Sequence, residues 1–78
     1  MQEGLGVLKE KNFVYSGMFK NNKRNGPGKQ KNSDGYEYSG EWENSKPHGS
    51  GREVFTDRTR YRGFYTNGVK HGIGIALS

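Results

Sequence analysis

The sequence predicts an all-β protein, an antiparallel meander of β-hairpins with no helix. Three observations carry this reading. The chain repeats at a spacing of 23 residues, with Tyr15-Ser16-Gly17, Tyr38-Ser39-Gly40 and Tyr61-Arg62-Gly63 each opening a unit. Within each unit aromatic and polar residues alternate, which marks a half-buried strand. Asn-rich pairs then follow at a fixed offset, where a tight turn is needed. A period in the 20–50 range signals stacked units sharing one core, an architecture that binds more often than it catalyses.

The elements follow in order. In the first opening strand Phe13, Tyr15, Gly17 and Phe19 share a face against Val14, Ser16 and Met18. The second sets Tyr36, Tyr38, Gly40 and Trp42 against Glu37, Ser39, Glu41 and Glu43. The third sets Thr59, Tyr61, Gly63 and Tyr65 against Arg60, Arg62 and Phe64. A helix does not fit this spacing, and each interior glycine would cost it about 1 kcal/mol. Turns are expected at Asn21-Asn22, Asn44-Ser45 and Asn67-Gly68. Return strands are expected over Gly28 to Lys31, Gly51 to Phe55 and Gly74 to Leu77, each near the second glycine of a Gly-x-Gly. Asp34-Gly35 makes the next turn, and Asp57-Arg58 occupies the matching place without its glycine.

Composition sets the bounds. The chain has 78 residues, 28% of them hydrophobic, so a conventional closed core would be poor. It has no cysteine, which excludes disulfides and thiolate metal sites. Nine of the 13 glycines fall in three repeating columns, which separates the chain from a flexible linker. A net charge of +5 favours acidic partners. No apolar run approaches the roughly 20 residues of a membrane span, and no signal peptide is visible. An intracellular, cytoplasmic protein is therefore expected.

The pattern Tyr-x-Gly-x-(aromatic)-x-Asn-x-x-x-x-Gly-x-Gly resembles the MORN repeat (membrane occupation and recognition nexus). Glu41-Trp42, Asn44 and Pro47-His48-Gly49-Ser50-Gly51 carry it most closely. Residues 15–37 and 38–60 look like full repeats and 61–78 like a truncated third. Residues 1–14 hold a partial repeat whose closing strand is Gly4-Leu5-Gly6-Val7-Leu8. The resemblance implies a single-layer antiparallel sheet serving as a binding or assembly module. Its members include junctional membrane proteins, lipid kinases, ciliary radial-spoke proteins and parasite cytoskeletal scaffolds. The chain departs from the pattern at Lys29-Gln30-Lys31-Asn32, which is polar where the family is apolar. Asn25 stands in the column of His48 and His71, and Val69 in that of Lys23 and Lys46.

Catalytic and metal chemistry find little support. His48 and His71 sit in one column, but equivalent residues of consecutive hairpins lie roughly 10 Å apart, and no cysteine joins them, so a turn role is expected. No serine lies in an activating motif, and Glu37, Glu41 and Glu43 read as a solvated face rather than an acid–base pair. The Gly-x-Gly motifs precede no helix and are not phosphate loops. No catalytic, cofactor-binding or metal-binding residue is assigned.

What remains as binding candidates are surfaces. Tyr15, Phe19, Tyr36, Tyr38, Trp42, Tyr61 and Tyr65 form an aromatic face, expected to pack on Gly17, Gly40 and Gly63 and to leave some exposure for a ligand segment. Lys20, Lys23, Arg24, Lys29 and Lys31 form a basic cluster for an acidic partner or phospholipid. Arg58, Arg60 and Arg62 share one strand face, partly paired with the glutamate face. Ile73, Ile75 and Leu77 mark an apolar edge strand suited to pairing with a neighbour. Nucleic acid is disfavoured, since no base-reading motif occurs. The expectation is a non-enzymatic structural or adaptor protein within a larger assembly, in a ciliary or cytoskeletal setting. The alternatives are a peripheral module on acidic membranes and a regulatory fragment of a larger enzyme.

Overall fold

The computed structural model describes residues 3–77. Seven strands follow in chain order: β1 (Gly4–Lys9), β2 (Phe13–Lys20), β3 (Lys23–Asn32), β4 (Glu37–Glu43), β5 (Lys46–Val54), β6 (Arg60–Thr66) and β7 (Val69–Leu77). Each pairs antiparallel with its sequence neighbours, giving one open sheet in the order β1 to β7. The described residues form a thin body, 39 × 26 × 15 Å, with no second layer of secondary structure among them.

The turns explain the strand lengths. Asn21 and Asn22 have φ of 54° and 65°, Asn44 and Ser45 51° and 66°, and Asn67 and Gly68 51° and 83°. Two consecutive left-handed residues form the tight hairpin turn whose twist matches that of paired strands. The return strands therefore begin at Lys23, Lys46 and Val69, and not near Gly28, Gly51 and Gly74 as the sequence suggested. A two-residue turn leaves no slack, so pairing resumes at once, as in Lys20 opposite Lys23. The second and third of these turns also dock on the hairpin before them: Ser45 N–H donates to the Arg24 carbonyl and Gly68 N–H to that of Pro47, at 2.9 and 2.8 Å.

The turns at the opposite margin are built differently. Asp34 and Asp57 each accept the N–H two residues on, from Tyr36 and Thr59, both at 3.0 Å. These are side-chain-closed Asx turns. The position after the aspartate is left-handed in both, Gly35 at φ 102° and Arg58 at φ 77°. Arg58 thus belongs to a turn and does not share the β6 face with Arg60 and Arg62.

Irregularities in register recur between Gly17 and Phe19, Gly40 and Trp42, and Gly63 and Phe64. They are bulges, with Gly26, Gly49 and Gly72 at positive φ on the returning strand. His48 and His71 immediately precede two of these glycines, so both lie in strands beside bulges and not in turns.

A single row of glycines crosses every strand. Gly6, Gly17, Gly28, Gly40, Gly51, Gly63 and Gly74 stand opposite one another in continuous register. This row organises both faces of the sheet.

Candidate functional site

One face carries the core. Tyr15, Phe19, Tyr38, Trp42 and Tyr65 are buried, with Leu8, Phe13, Tyr36 and Tyr61 packed beside them. The rings form a chain of edge-to-face contacts in the order Phe19, Tyr15, Trp42, Tyr38, Tyr65 and Tyr61. Centroids are 5.0–5.8 Å apart and planes cross at 83–89°. This is the geometry favoured by the ring quadrupole, adding about 0.5–1.5 kcal/mol per pair beyond burial. The opening tyrosine of each unit lies over the glycine row. A Cβ on Gly28, Gly51 or Gly74 would overlap the ring and hydroxyl of Tyr15, Tyr38 or Tyr61. The closest seat is therefore the glycine of the return strand, whereas Gly17, Gly40 and Gly63 face the same hydroxyls from the side of the opening strand.

The hydroxyls and the indole are satisfied by backbone. Tyr15 and Tyr38 donate to the carbonyls of Met18 and Glu41 at 2.8 and 2.9 Å, and Trp42 Nε1 donates to Gly28 O at 3.1 Å. Burial pushes the Tyr15 hydroxyl above its ordinary range and that of Tyr38 up to about 12, the latter reinforced by the Glu41 carboxylate. Five of the seven aromatic residues are thus used up within the fold. The packing expected of this face is present, and the ring exposure that remains is confined to the partly buried Tyr36 and Tyr61.

Two charged residues enter this face without a signal in the sequence reading. Glu53 is only 7% exposed. It accepts from the hydroxyls of Tyr36 and of Tyr65, the latter at 2.5 Å, and Lys70 Nζ lies 3.5 Å away. Burial, then the bond to the Glu53 carboxylate, pushes both hydroxyls well above the usual tyrosine range. Glu53 has the same strand parity as Gly51, which places it on the aromatic side; parity was the available clue. The second is Arg24. Its guanidinium carbon lies 4.9 Å from the Trp42 ring centroid and 5.5 Å from that of Phe13, and it bonds Gln30 and the Ser45 carbonyl.

The five basic residues expected to act together are therefore separated. Lys20 and Lys23 are exposed at the margin beside the Asn21-Asn22 turn. Arg24 is held among rings. Lys29 and Lys31 lie on the other face, where Glu37 pairs with both at 3.4 and 4.0 Å. The glutamates do not pair with the arginines: Glu41 accepts from Ser50 Oγ at 3.1 Å, and Glu43 sits 3.3 Å from His48 Nε2.

The reverse face is open. Between β4 and β7 it holds a shallow trough of about 640 Å³ whose floor is the backbone of Gly40, Gly51, Gly63 and Gly74. One wall is the register row Ser39, Arg52, Arg62 and Ile75; Ser50, Phe64 and Ile73 form the other. Arg52 stands directly opposite Arg62, and neither they nor Arg60 make an ion pair among the described residues. Ile73, Ile75 and Leu77 are 87, 56 and 58% exposed, and the outer edge of β7 is unpaired among the described residues. At the opposite edge Leu5 and Val7 of β1 are exposed as well.

No group of three or more His, Asp or Glu side chains that could hold a metal occurs among the described residues. The buried carboxylate is engaged by two phenols, and the trough contains neither a base nor an activated nucleophile.

Among curated proteins no sequence matches the chain significantly. A family profile described as MORN repeat matches residues 15–35, 38–60 and 61–76. Those three segments coincide with the three hairpin units and account for more than half of the chain, which therefore belongs to the MORN repeat family.

Proposed function

We propose that this chain is a non-enzymatic structural or adaptor module that joins protein partners within a larger assembly. MORN repeats generally mediate protein or membrane interactions and form a non-enzymatic repeat module. The observation that carries the protein reading is the single uncovered layer. Rings cover one face only, while Ile73, Ile75, Leu77 and Phe64 project from the other beside a strand edge that is unpaired among the described residues. Exposed apolar surface next to free backbone donors and acceptors suits addition of a strand from a neighbour. The proposed setting is intracellular, in a ciliary or cytoskeletal complex, and rests on the kinds of protein in which such arrays occur.

The test is affinity purification of the full chain from cells, with partner identification and stoichiometry. A stoichiometric protein partner, weakened by Ile75→Lys, is the expected result. A monodisperse monomer with no stoichiometric protein partner, sedimenting instead with acidic liposomes at low salt, would move the assignment to a membrane module.

A further inference from the structure

Three features of the reverse face bear on the chemistry of a partner. Arg52 and Arg62 are a directly opposed cross-strand pair of like charge, an arrangement that destabilises a sheet when nothing lies between the charges. Arg60 adds a third cation on the same face, two residues from Arg62, and none of the three meets a carboxylate among the described residues. The neighbouring acid, Glu37, is already shared by Lys29 and Lys31. The trough alongside is apolar at its far end, where Phe64, Ile73 and Ile75 are 54, 87 and 56% exposed.

We infer that the trough across β4 to β7 is a docking site for an acidic, extended peptide segment in which carboxylates alternate with apolar side chains. The inference rests on the adaptor reading above and specifies the partner's chemistry. An extended chain laid along the trough places side chains alternately on its two sides. Carboxylates on one side meet the planar forks of Arg52 and Arg62, which bind carboxylates bidentately. Apolar side chains on the other meet Phe64 and Ile73. The glycine floor carries no side chain, so the peptide backbone can lie close to the sheet. Four strands span three spacings, roughly 14 Å, which about four to five extended residues cover. The combination of a trough floored by glycines and paired arginines suits a chain more closely than a bilayer, whose plane meets the rim before the floor. The exposed lysines Lys20 and Lys23 sit at the β2–β3 margin, away from the trough.

The test uses the full chain and three probes: a synthetic peptide of alternating Glu and Leu, its Lys-Leu counterpart, and vesicles of mixed neutral and anionic phospholipid. The expected result is saturable binding of the Glu-Leu peptide alone, with amide shifts at Arg52, Arg62 and Phe64. Arg52→Gln and Arg62→Gln should each weaken it by roughly tenfold, and Arg52→Lys by less. Both positions are exposed, and circular dichroism of each variant verifies the fold. Absence of Glu-Leu binding, equal binding of both peptides, insensitivity to the arginine variants, or binding of vesicles only would each overturn the inference. A cellular partner weakened by Ile75→Lys but indifferent to the paired arginine change overturns the acidic-segment inference and leaves the adaptor reading standing. Absence of any stoichiometric partner for the unaltered chain removes the adaptor reading itself.

Discussion

The middle and last hairpins share the tyrosine, asparagine and glycine columns of the repeat, yet they are not equally packed. Tyr38 is 1% exposed, whereas its counterpart Tyr61 is only half-buried, and every residue from Thr66 to Leu77 is exposed. The difference lies in what comes next. Tyr38 is flanked by Trp42 of its own unit and Tyr65 of the following one, at 5.0 and 5.2 Å. Tyr15 is flanked in the same way by Phe19 and Trp42. Tyr61 has Tyr65 at 5.8 Å and no ring of a later unit. Each repeat is thus completed by the one after it. The core belongs to the joints between units rather than to the units, as expected for a quasi-one-dimensional array.

The strongest way to break the comparison is to remove a ring that serves two units. Trp42→Ala strips both Tyr15 and Tyr38 of a partner and should cost about 3–5 kcal/mol. For a chain this small that is expected to abolish the folded state, seen as loss of near-ultraviolet dichroism. Tyr61→Ala should cost about 1–2 kcal/mol, because less area is lost. Equal losses for the two variants would show that the joint is not the cooperative element.

Adding bulk probes the same asymmetry from the other direction. Gly51→Ala forces a methyl into the buried Tyr38 ring and should destabilise by about 1–3 kcal/mol. Gly74→Ala meets the Tyr61 ring in the same way, but that ring has room to swing outward, so its urea midpoint should shift clearly less.

Alkali gives a smaller and graded effect. Tyr38 has its pKa raised from 10.0 to about 12 in the fold, with Tyr36 and Tyr65 raised further. A raised pKa contributes stability in full below 10, and that stability is lost as pH climbs from 10 through 12. Stability should therefore be flat up to pH 10 and then fall, with tyrosinate absorbance of the buried rings appearing only as strand signal disappears. Tyr38→Phe should make the decline shallower.

The smallest effect is expected at the far margin. Arg58 holds the left-handed position that Gly35 fills in the preceding turn. Arg58→Gly relieves that conformation but loosens the unfolded chain, leaving a net gain of about 0.5 kcal/mol. A loss of stability would mean that the Arg58 side chain contributes a contact outweighing its backbone.

Much of the fold was legible because the period, the parity and the turn residues agree. Tyr15, Tyr38 and Tyr61 announce the unit; Asn44-Ser45 and its equivalents announce the hairpin. What escaped reading has physical causes. Lys23-Arg24-Asn25 shows no apolar alternation, so the early start of β3 followed only from the turn geometry. Arg24 and Lys20 look alike in a charge count, yet a guanidinium can lie flat against rings whereas Lys20 projects from the turn margin. Glu53 reads as a surface acid until pairing of neighbouring strands brings two phenols and Lys70 to it from 12 to 17 positions away. The free state of Arg52 and Arg62 depended on where Glu37, Glu41 and Glu43 turned, which no spacing reveals.

The unbroken row of glycines has a consequence for measurement of length. Each appended hairpin prolongs the bare lane on the reverse face by two strand spacings, roughly 9.6 Å. An array of this type therefore behaves as a ruler graduated in hairpins. How long a segment it can lie along is decided by how many units are joined, and altering that count would change reach without altering a single contact chemistry.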